Sequence, residues 1–309
     1  MNRPTRVLAI GLAALTLILG ACAKSSGAKG GPSATATGSF GVSKDAALAA
    51  EVPAAIASKG TLQVATDASY APDEFFAPDN KTIIGMDVDL LNAIAGTLGL
   101  KLTFVNVKFK EIIPGLADGR YDVSVSSFTD SKDREKTVDF VTYFQAGASI
   151  FVASSSTNNF TNLDQLCGKP VSVESGTTEL DDITAQNKKC KNEGKPEIVQ
   201  HAFPDQNGAN NDVISGRAVA SLADSQVAGY QVKVTNGKVK VTGEYLAPAP
   251  YGIAIPRPSG AAPGTGPLTK PILDALTKLI GSGIYGQILD KWGVTAGAIT
   301  TPKINGAIS

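Results

Sequence analysis

The chain has 309 residues with 28 basic and 28 acidic side chains, so its formal net charge is zero. This balance gives no electrostatic reason to expect a nucleic acid partner, and one histidine with three cysteines offers few ligands for a transition metal. We therefore expect no bound metal and no cofactor. The length corresponds to about two ordinary domains, and the hydrophobic fraction of 43% is typical of a soluble α/β protein.

The N-terminus has the pattern of an export signal. Arg3 and Arg6 precede an apolar run, residues 7–19, that is too short to span a bilayer comfortably. The run ends in Leu-Gly-Ala before Cys22, and small residues before a cysteine at this place resemble a bacterial lipobox. That resemblance implies a signal peptide over residues 1–21 and a lipid anchor at Cys22 on the outer face of the cell membrane. A plain secretory signal is the alternative.

Residues 22–50 follow as a predicted flexible tether. From residue 23 to about residue 45 the chain is mainly Gly, Ser, Ala and Thr with a few lysines. Such a composition buries too little apolar surface to fold. We expect the globular part of the protein to begin where this segment ends.

Strands and helices alternate in the next part of the chain. We predict strands over 62–66, 102–106 and 121–126, and helices over 86–98 and 109–117. This alternation indicates a parallel sheet covered on both faces, and such sheets bind ligands at the carboxyl ends of their strands. Asp67, Tyr70, Ser127 and Arg134 all follow predicted strands and are expected near one site.

A second unit repeats this scheme. We predict strands over 171–173, 197–201, 219–222, 239–241 and 251–255, and helical segments over 178–186, 212–215 and 225–232. A Pro/Gly-rich loop, two helices and a tail without a recognisable pattern complete the chain. If the last helices pack on the first unit, the chain crosses between the units near 148–152 and near 246–252, and the two crossings form a hinge.

The stretch from Ser126 to Arg134 combines hydroxyl side chains with one arginine. A guanidinium offers a rigid fork of donors that matches a carboxylate, and neighbouring hydroxyl groups can satisfy its remaining lone pairs. We interpret this stretch as the anion-binding half of a small-ligand site. A polar turn with a solvated arginine is the alternative.

Two cysteines remain beyond the N-terminus, Cys167 and Cys190. In an exported protein we expect them to form a disulfide, which would contribute on the order of 3 kcal/mol by the chain-entropy model. Two free buried thiols are the alternative.

An ordered series of short motifs resembles one known family. The motifs are Asp67-x-x-Tyr70-x-Pro72, Gly85-x-Asp87-x-Asp89-Leu90, Ile113-Pro114-x-Leu116, Gly119-x-Tyr121-Asp122, Ser127-x-Thr129-x4-Arg134, Val138-Asp139-Phe140, Gly176-Thr177-Thr178, Asp224, and Gly283-x-Tyr285 with Lys291-Trp292-Gly293. They resemble the polar-amino-acid class of extracellular solute-binding lipoproteins of bacterial ABC importers, over nearly all of residues 58–294. Each motif alone is weak, whereas the series is specific.

This resemblance implies the α/β, two-lobed fold of type II periplasmic binding proteins. Two Rossmann-like lobes would be joined by a two-strand hinge, with the ligand cleft between them. Lobe 1 would comprise residues 51–149 plus 249–299, and lobe 2 residues 150–248. Residues 300–309 would form a tail.

The resemblance also implies which residues hold the amino acid that such proteins bind. Arg134 would bind the ligand α-carboxylate with two hydrogen bonds, and Thr129 and Ser127 would donate beside it. Thr178, at a helix start, would add a donor from the second lobe. Asp224 would bind the α-ammonium group, unless it only caps the helix that follows it.

The side chain of the ligand would lie among Asp67, Tyr70, Phe109, Asp73 and Glu179. Many relatives carry an aromatic residue where this chain has Asp73, and Phe75 or Phe76 is expected to replace it. Acidic groups at these positions favour a basic or amide side chain. The alternatives are that Asp73 and Glu179 point to solvent and that Tyr70 is a core residue.

Three further residues are expected to have structural roles. Asp87 and Asp89 open a helix and are interpreted as cap and dipole residues. His201 has no acidic neighbour in the sequence and is interpreted as part of a strand.

The function implied is capture of a free amino acid by a monomeric binding protein that delivers it to an ABC permease and its ATPase. We expect no enzymatic activity. An enzyme of the cyclohexadienyl-dehydratase type on the same fold is one alternative. A protein that presents the ligand to a sensor without transport is the other.

Overall fold

The computed structural model describes residues 40–308. The helices are α1 (Ala46–Ala49), α2 (Ala54–Lys59), α3 (Met86–Leu98), α4 (Phe109–Ala117), α5 (Thr178–Asn192), α6 (Gln206–Ile214), α7 (Ser225–Val234), α8 (Thr269–Gly281) and α9 (Ile284–Trp292). One-turn 3-10 helices lie at Arg134–Lys136, Leu163–Leu166 and Thr295–Gly297. Between residues 40 and 308, every helix is too short or too polar to cross a membrane.

The strands form one large mixed sheet and one small sheet. They are β1 (Thr61–Thr66), β2 (Ser69–Tyr70), β3 (Glu74–Phe76), β4 (Ile83–Ile84), β5 (Lys101–Asn106), β6 (Val123–Ser124), β7 (Val138–Ala153), β8 (Pro170–Glu174), β9 (Val199–Phe203), β10 (Ala220–Asp224) and β11 (Val239–Pro256). The large sheet has the order β5-β1-β6-β11-β7-β10-β8-β9, and the small sheet has the order β2-β3-β4. β1 is parallel to β5 and β6, and β8 is parallel to β9 and β10.

Two long strands connect the two parallel groups. β7 and β11 pair antiparallel from Val138 opposite Pro256 to Ala153 opposite Val239. The paired strands lie in the middle of the sheet, so both groups of parallel strands are built onto them.

Each group has its own apolar core. In the first core Ile94 of α3 packs with Leu276 of α8 and Ile288 of α9, all of them buried. Val171, Ile183, Leu222 and their neighbours form the second core. The last helices therefore do return to the first unit. Full burial of one such side chain is worth about 1.5–3 kcal/mol.

The long strands differ most from the sequence-based expectation. β7 was not predicted, and β11 was predicted as two separate pieces. Pro248 and Pro250 lie inside β11, and proline cannot donate to a ladder. The register shifts between Leu246 and Ala249, where Pro248 lies, and the strand continues with Pro250 opposite Gln145.

The remaining element boundaries differ by smaller amounts. β6 is only two residues long, α5 continues to Asn192, and α6 begins at Gln206 rather than at Asp212. The early start of α6 follows from Asp205, whose carboxylate accepts a hydrogen bond from the Gly208 N–H as an N-cap.

Part of the predicted tether is folded. Phe40, Val42 and Leu48 pack against the first core, and Asp45 both caps α1 and pairs with Lys278. The tether prediction is therefore wrong for residues 40–50. The signal peptide at 1–21, the lipidation of Cys22 and the tether up to residue 39 lie outside the described residues.

The predicted disulfide is confirmed. Cys167 and Cys190 are bonded, with an S–S distance of 1.97 Å. The bond joins the segment before β8 to the last turn of α5, and the alternative of two free thiols is wrong.

The three residues with predicted structural roles have side-chain partners that the sequence did not indicate. Asp87 accepts hydrogen bonds from the Ser127 N–H and the Tyr143 hydroxyl. Asp89 accepts from Lys291 Nζ and Trp292 Nε1. Gly85 is the N-cap of α3 and no side chain caps this end, so the cap interpretation is wrong for both aspartates, whereas both do lie in the first turn of α3, as the dipole interpretation requires. His201 remains in a strand, and its Nδ1 lies 2.7 Å from Asp212 Oδ2.

Candidate functional site

The first half of the loop after β6 is bonded to β11. Thr129 forms a bridge with Tyr251, and the Asp130 N–H donates to the Pro250 carbonyl at 2.8 Å. Ser127 has a φ of +46°, in the left-handed region. This conformation directs its N–H to Asp87 Oδ2 at 2.9 Å.

Arg134 lies at the start of the 3-10 helix that ends this loop. Its Nη1 donates to the Thr129 carbonyl at 2.8 Å, and its Nη2 donates to the Gly176 carbonyl at 3.1 Å. The guanidinium carbon also lies 5.3 Å from the ring centre of Phe109 and 5.2 Å from that of Phe128. Two backbone carbonyls and two aromatic faces therefore hold this cation in one orientation.

The second half of the chain contributes the start of α5 to the site. Thr177 is the N-cap, and its hydroxyl accepts a hydrogen bond from the Leu180 N–H. Thr178 is the first helical residue. The first backbone N–H groups of a helix favour an anion, so this end of α5 complements Arg134.

Asp224 ends β10 and immediately precedes α7. Its side chain makes no capping hydrogen bond, so the alternative role as a helix cap is wrong. Burial, followed by the nearby charge of Glu179, raises the pKa of Asp224 well above its ordinary value. A carboxylate in this position gains most from a cationic partner.

These residues meet in one cavity that is partly open to solvent, and its space, including the open part, is about 180 Å³. It is lined by Tyr70, Phe109, Ser127, Thr129, Arg134, Thr177, Thr178, Glu179 and Asp224. The structure therefore brings together eight of the predicted ligand residues and adds Thr177. Of these lining residues, all within the described range, one is a cation and two are carboxylic acids.

Glu179 is buried in this cavity and is only 4% exposed. The alternative that it points to solvent is therefore wrong. No residue between 40 and 308 gives a hydrogen bond to its Oε1. Burial is the main reason that its pKa is raised.

Asp67 does not line the cavity. Its carboxylate accepts from the Ser69 hydroxyl at 2.7 Å and from the Phe109 N–H at 3.1 Å. It therefore positions the loop after β1 against the start of α4. This arrangement places Tyr70 and Phe109 beside each other in the cavity lining, with their ring centres 6.0 Å apart.

Asp73 also lies outside the cavity lining and is fully buried, so the alternative of a solvent-facing side chain is wrong. Its Oδ2 accepts from the Ser127 hydroxyl at 3.1 Å, and Glu74 and Asp87 are buried beside it. Burial and then the charge of Asp87 raise the pKa of Asp73 to about 8, while burial raises that of Asp87 to about 6. A group of acids thus lies directly behind the Ser127 loop.

The aromatic residues expected after Pro72 point elsewhere. Phe75 packs on Tyr230 and Trp292, with ring centres 6.0 and 5.8 Å away, and Phe76 is 37% exposed. Phe128 instead stacks on Phe109 at 4.3 Å and forms the apolar floor under Arg134.

Glu174 is a residue that the sequence analysis missed. It is fully buried at the end of β8, and within the described part of the chain neither carboxylate oxygen has a hydrogen-bond partner. Burial and then the charge of Asp67 raise its pKa to about 10, and its own charge contributes to the raised pKa of Tyr70. The rule that ligands bind at the carboxyl ends of strands could have indicated it, because Glu174 directly follows the strand predicted over 171–173.

Several contacts cross between the two halves of the site. Besides the Arg134 to Gly176 hydrogen bond, Lys108 Nζ lies 2.7 Å from Asp205 Oδ2. Gln226 Nε2 donates to Asp73 Oδ2 at 2.7 Å and to the Tyr251 hydroxyl at 2.9 Å. Residues 40–308 contain no group of three or more His, Cys, Asp or Glu arranged to hold a metal ion.

The chain is similar to known proteins in sequence and in fold. The chain is 32% identical over 261 residues to the arginine-binding protein ArgT of Corynebacterium glutamicum, covering 84% of this chain and 82% of that one. An ancestral arginine-binding protein bound to arginine superposes with a TM-score of 0.68 at 34% identity, over 75% of this chain and 98% of that one. The ancestral amino acid-binding protein AncCDT-1, a precursor of cyclohexadienyl dehydratase, gives 0.64 at 31% identity, over 77% and 97%.

These similarities confirm the predicted fold class of type II periplasmic binding proteins. Residues 62–295 match the model of bacterial extracellular solute-binding proteins, family 3, and the chain therefore belongs to that family.

Proposed function

We propose that this protein captures a free amino acid with a cationic side chain and delivers it to an ABC permease. The observation that supports this most directly is the pairing of Arg134 and Asp224 in one cavity. A zwitterion needs one cationic and one anionic partner a few ångströms apart, and the cavity provides both. Arg134, Thr129 and Thr178 would hold the carboxylate, with Ser127 at the edge of this group, and Asp224 would hold the ammonium.

The preference for a cation rests on the second carboxylate of the cavity. Arg134 balances one acidic group, which leaves Glu179 in excess, with its Oε1 unpaired among the described residues. An arginine or lysine ligand adds one positive charge to this site, whereas a neutral ligand adds none. The arginine-binding relatives support the same preference.

Closure is the proposed way in which the ligand is retained. Arg134 belongs to the unit built on β1, β5 and β6, whereas Thr178, Glu179 and Asp224 belong to the unit built on β8, β9 and β10. We assign lobe 1 to residues 51–149 plus 249–299 and lobe 2 to residues 150–248, with β7 and β11 as the hinge. A ligand that contacts both lobes favours the closed state because the open state lacks half of the contacts.

The partners follow from the family and from the N-terminal pattern. A permease with its ATPase would recognise the closed lobes. Lipidation at Cys22 would hold the protein, as a monomer, at the outer face of the cell membrane.

The test is a thermal-shift and calorimetry panel of arginine, lysine, citrulline and glutamine. Arginine at 100 times its Kd should stabilise the protein by about 2.7 kcal/mol through mass action. Glu179→Gln should weaken arginine binding by about tenfold and leave citrulline binding unchanged, because only the guanidinium ligand loses a charge partner. Equal losses for both ligands would show that Glu179 does not select charge. No response to any amino acid would contradict the proposed function.

An enzyme of the dehydratase type is the second candidate, since the cavity carries acids with a raised pKa and one structural relative is a dehydratase precursor. Incubation with prephenate or arogenate separates the two functions, because turnover of either compound supports the enzyme and its absence together with amino acid binding supports capture. Loss of arginine uptake in a strain that lacks the protein distinguishes transport from a sensor role.

A further inference from the structure

The C-terminal tail, which showed no pattern in the sequence, is bound along the start of β7. Lys303 exchanges two hydrogen bonds with Thr142, both 2.8 Å long. Ile304 forms an antiparallel bridge with Val141. This segment therefore lies beside the strand that follows the Arg134 loop, and it lies beyond residue 295, where the family match ends.

Asn305, the next residue of the tail, forms hydrogen bonds to β7 with both its side chain and its backbone. The Phe140 N–H donates to Asn305 Oδ1 at 2.8 Å, and the Asn305 N–H donates to the Phe140 carbonyl at 2.9 Å. Asn305 Nδ2 also donates to Asp139 Oδ1 at 3.1 Å. These bonds fix the direction in which the tail continues beyond β7.

The next two residues of the tail reach the Arg134 loop itself. The Gly306 N–H donates to Asp130 Oδ2 at 2.7 Å, and the Ala307 N–H donates to Glu135 Oε1 at 3.2 Å. Asp130 directly follows Thr129, and Glu135 directly follows Arg134. The tail therefore bonds to both sides of the segment that carries the proposed carboxylate subsite.

The two acidic acceptors repel each other at this place. Asp130 is 2% exposed, and burial followed by the charge of Glu135 raises its pKa to about 7. Backbone N–H groups that donate to a carboxylate stabilise its charged form. Without the tail, this pair would lose two donors, and the repulsion would favour an altered loop between Asp130 and Glu135.

We propose that residues 303–307 position the ligand-carboxylate subsite. By donating hydrogen bonds to the carboxylates of Asp130 and Glu135, these residues hold Thr129 and Arg134 in place. The tail touches no ligand group itself. This role rests on the proposed function, because it concerns the same amino acid site.

The experiment compares the full chain with a chain that ends at Pro302. Hydrogen exchange of the amides between residues 128 and 137 should accelerate in the shortened chain, whereas exchange in β8 should not change. Calorimetry with arginine should show an affinity about tenfold weaker. Unchanged exchange in the loop, or an affinity within twofold of the full chain, would overturn the proposal.

A second set of variants separates positioning from general stability. Asp130→Asn in the shortened chain removes the repulsion and should restore most of the arginine affinity; a failure of this rescue would show that the tail acts through overall stability and would overturn the proposal. Ala307→Pro removes the N–H that bonds to Glu135 and should weaken arginine binding. Ile308→Pro is its control, since Ile308 is 73% exposed, and it should bind as the full chain does. Equal binding by these two variants would also contradict the proposal.

The two proposals fail in different ways. If the full chain binds no amino acid, the proposed function is wrong, and the exchange measurement still decides whether the tail positions the loop.

Discussion

Ser127 shows how one backbone conformation arranges the proposed carboxylate subsite. Its left-handed φ of +46° costs on the order of 1–3 kcal/mol for a residue with a side chain. The hydrogen bonds from its N–H to Asp87 and from its hydroxyl to Asp73 offset this cost. As a result, the hydroxyl that the sequence assigned to the ligand carboxylate donates to the buried acids behind the loop.

Arg134 provides the residue-scale prediction. Arg134→Ala should cost about 2–5 kcal/mol of ligand affinity, because the ligand carboxylate would be buried without its charged partner. Arg134→Lys retains the charge but not the fork of donors, so its loss should be intermediate. Calorimetry of both variants measures this. Binding by Arg134→Ala at the wild-type affinity would show that the ligand carboxylate lies elsewhere.

At the scale of elements, the cavity is made where strand ends and helix starts meet. β8 leads into α5 through Gly176, and β10 leads directly into α7 through Asp224. Both junctions were predicted because apolar strands and a glycine turn leave clear local signals. β7 and the full length of β11 were not predicted, since their pairing is with each other and the signal is not local.

The junction of β3, α3 and α7 gives a prediction about pH. Because the pKa of Asp73 is about 8 in the folded protein and its ordinary value is 3.8, the folded state binds the proton more tightly. The resulting contribution to stability is complete below about pH 4 and is lost as the pH rises towards 8. Asp73→Asn should therefore reduce the fall in the free energy of unfolding between pH 5 and pH 8, by at most about 1.4 kcal/mol per pH unit.

Urea unfolding at several pH values measures this difference. Asp79→Asn is the matched control, because hydrogen bonds to Thr82 and to nearby backbone N–H groups lower the pKa of Asp79 to about 2. The pH-dependent contribution of Asp79 to stability therefore changes only below this pH range. The plot of unfolding free energy against pH for Asp79→Asn should stay parallel to that of the wild type. A parallel curve for Asp73→Asn would contradict the assignment of a proton to this group of acids.

At the scale of the whole molecule, two strands and a few contacts connect the lobes. The Lys108 to Asp205 pair crosses between them, whereas the similarly exposed Lys59 to Asp122 pair lies within lobe 1. Exposed pairs are worth at most about 1 kcal/mol, which is enough to shift a balanced equilibrium between open and closed states.

Small-angle scattering tests this closure. Arginine should reduce the radius of gyration of the wild type, and Lys108→Ala should increase the radius of the ligand-free protein. Lys59→Ala should have no effect. A radius that arginine leaves unchanged would contradict the hinge model.

The sequence by itself determined the α/β class, the family resemblance and most of the cavity. Arg134, Thr129, Thr178 and Asp224 stand at strand ends and helix starts, whose chemistry is readable locally. Only the tertiary structure decided which acids line the cavity. It placed Glu179 in the cavity, withdrew Asp67 and Asp73 into hydrogen-bonded positions behind it, and revealed Glu174.

The position of the C-terminal tail was likewise decided only by the tertiary structure. Residues 303–307 have no periodicity, because their bonds are to β7 and to the Arg134 loop more than 160 positions earlier. Local patterns predict local structure, whereas partners distant in the sequence are set by packing of the complete fold.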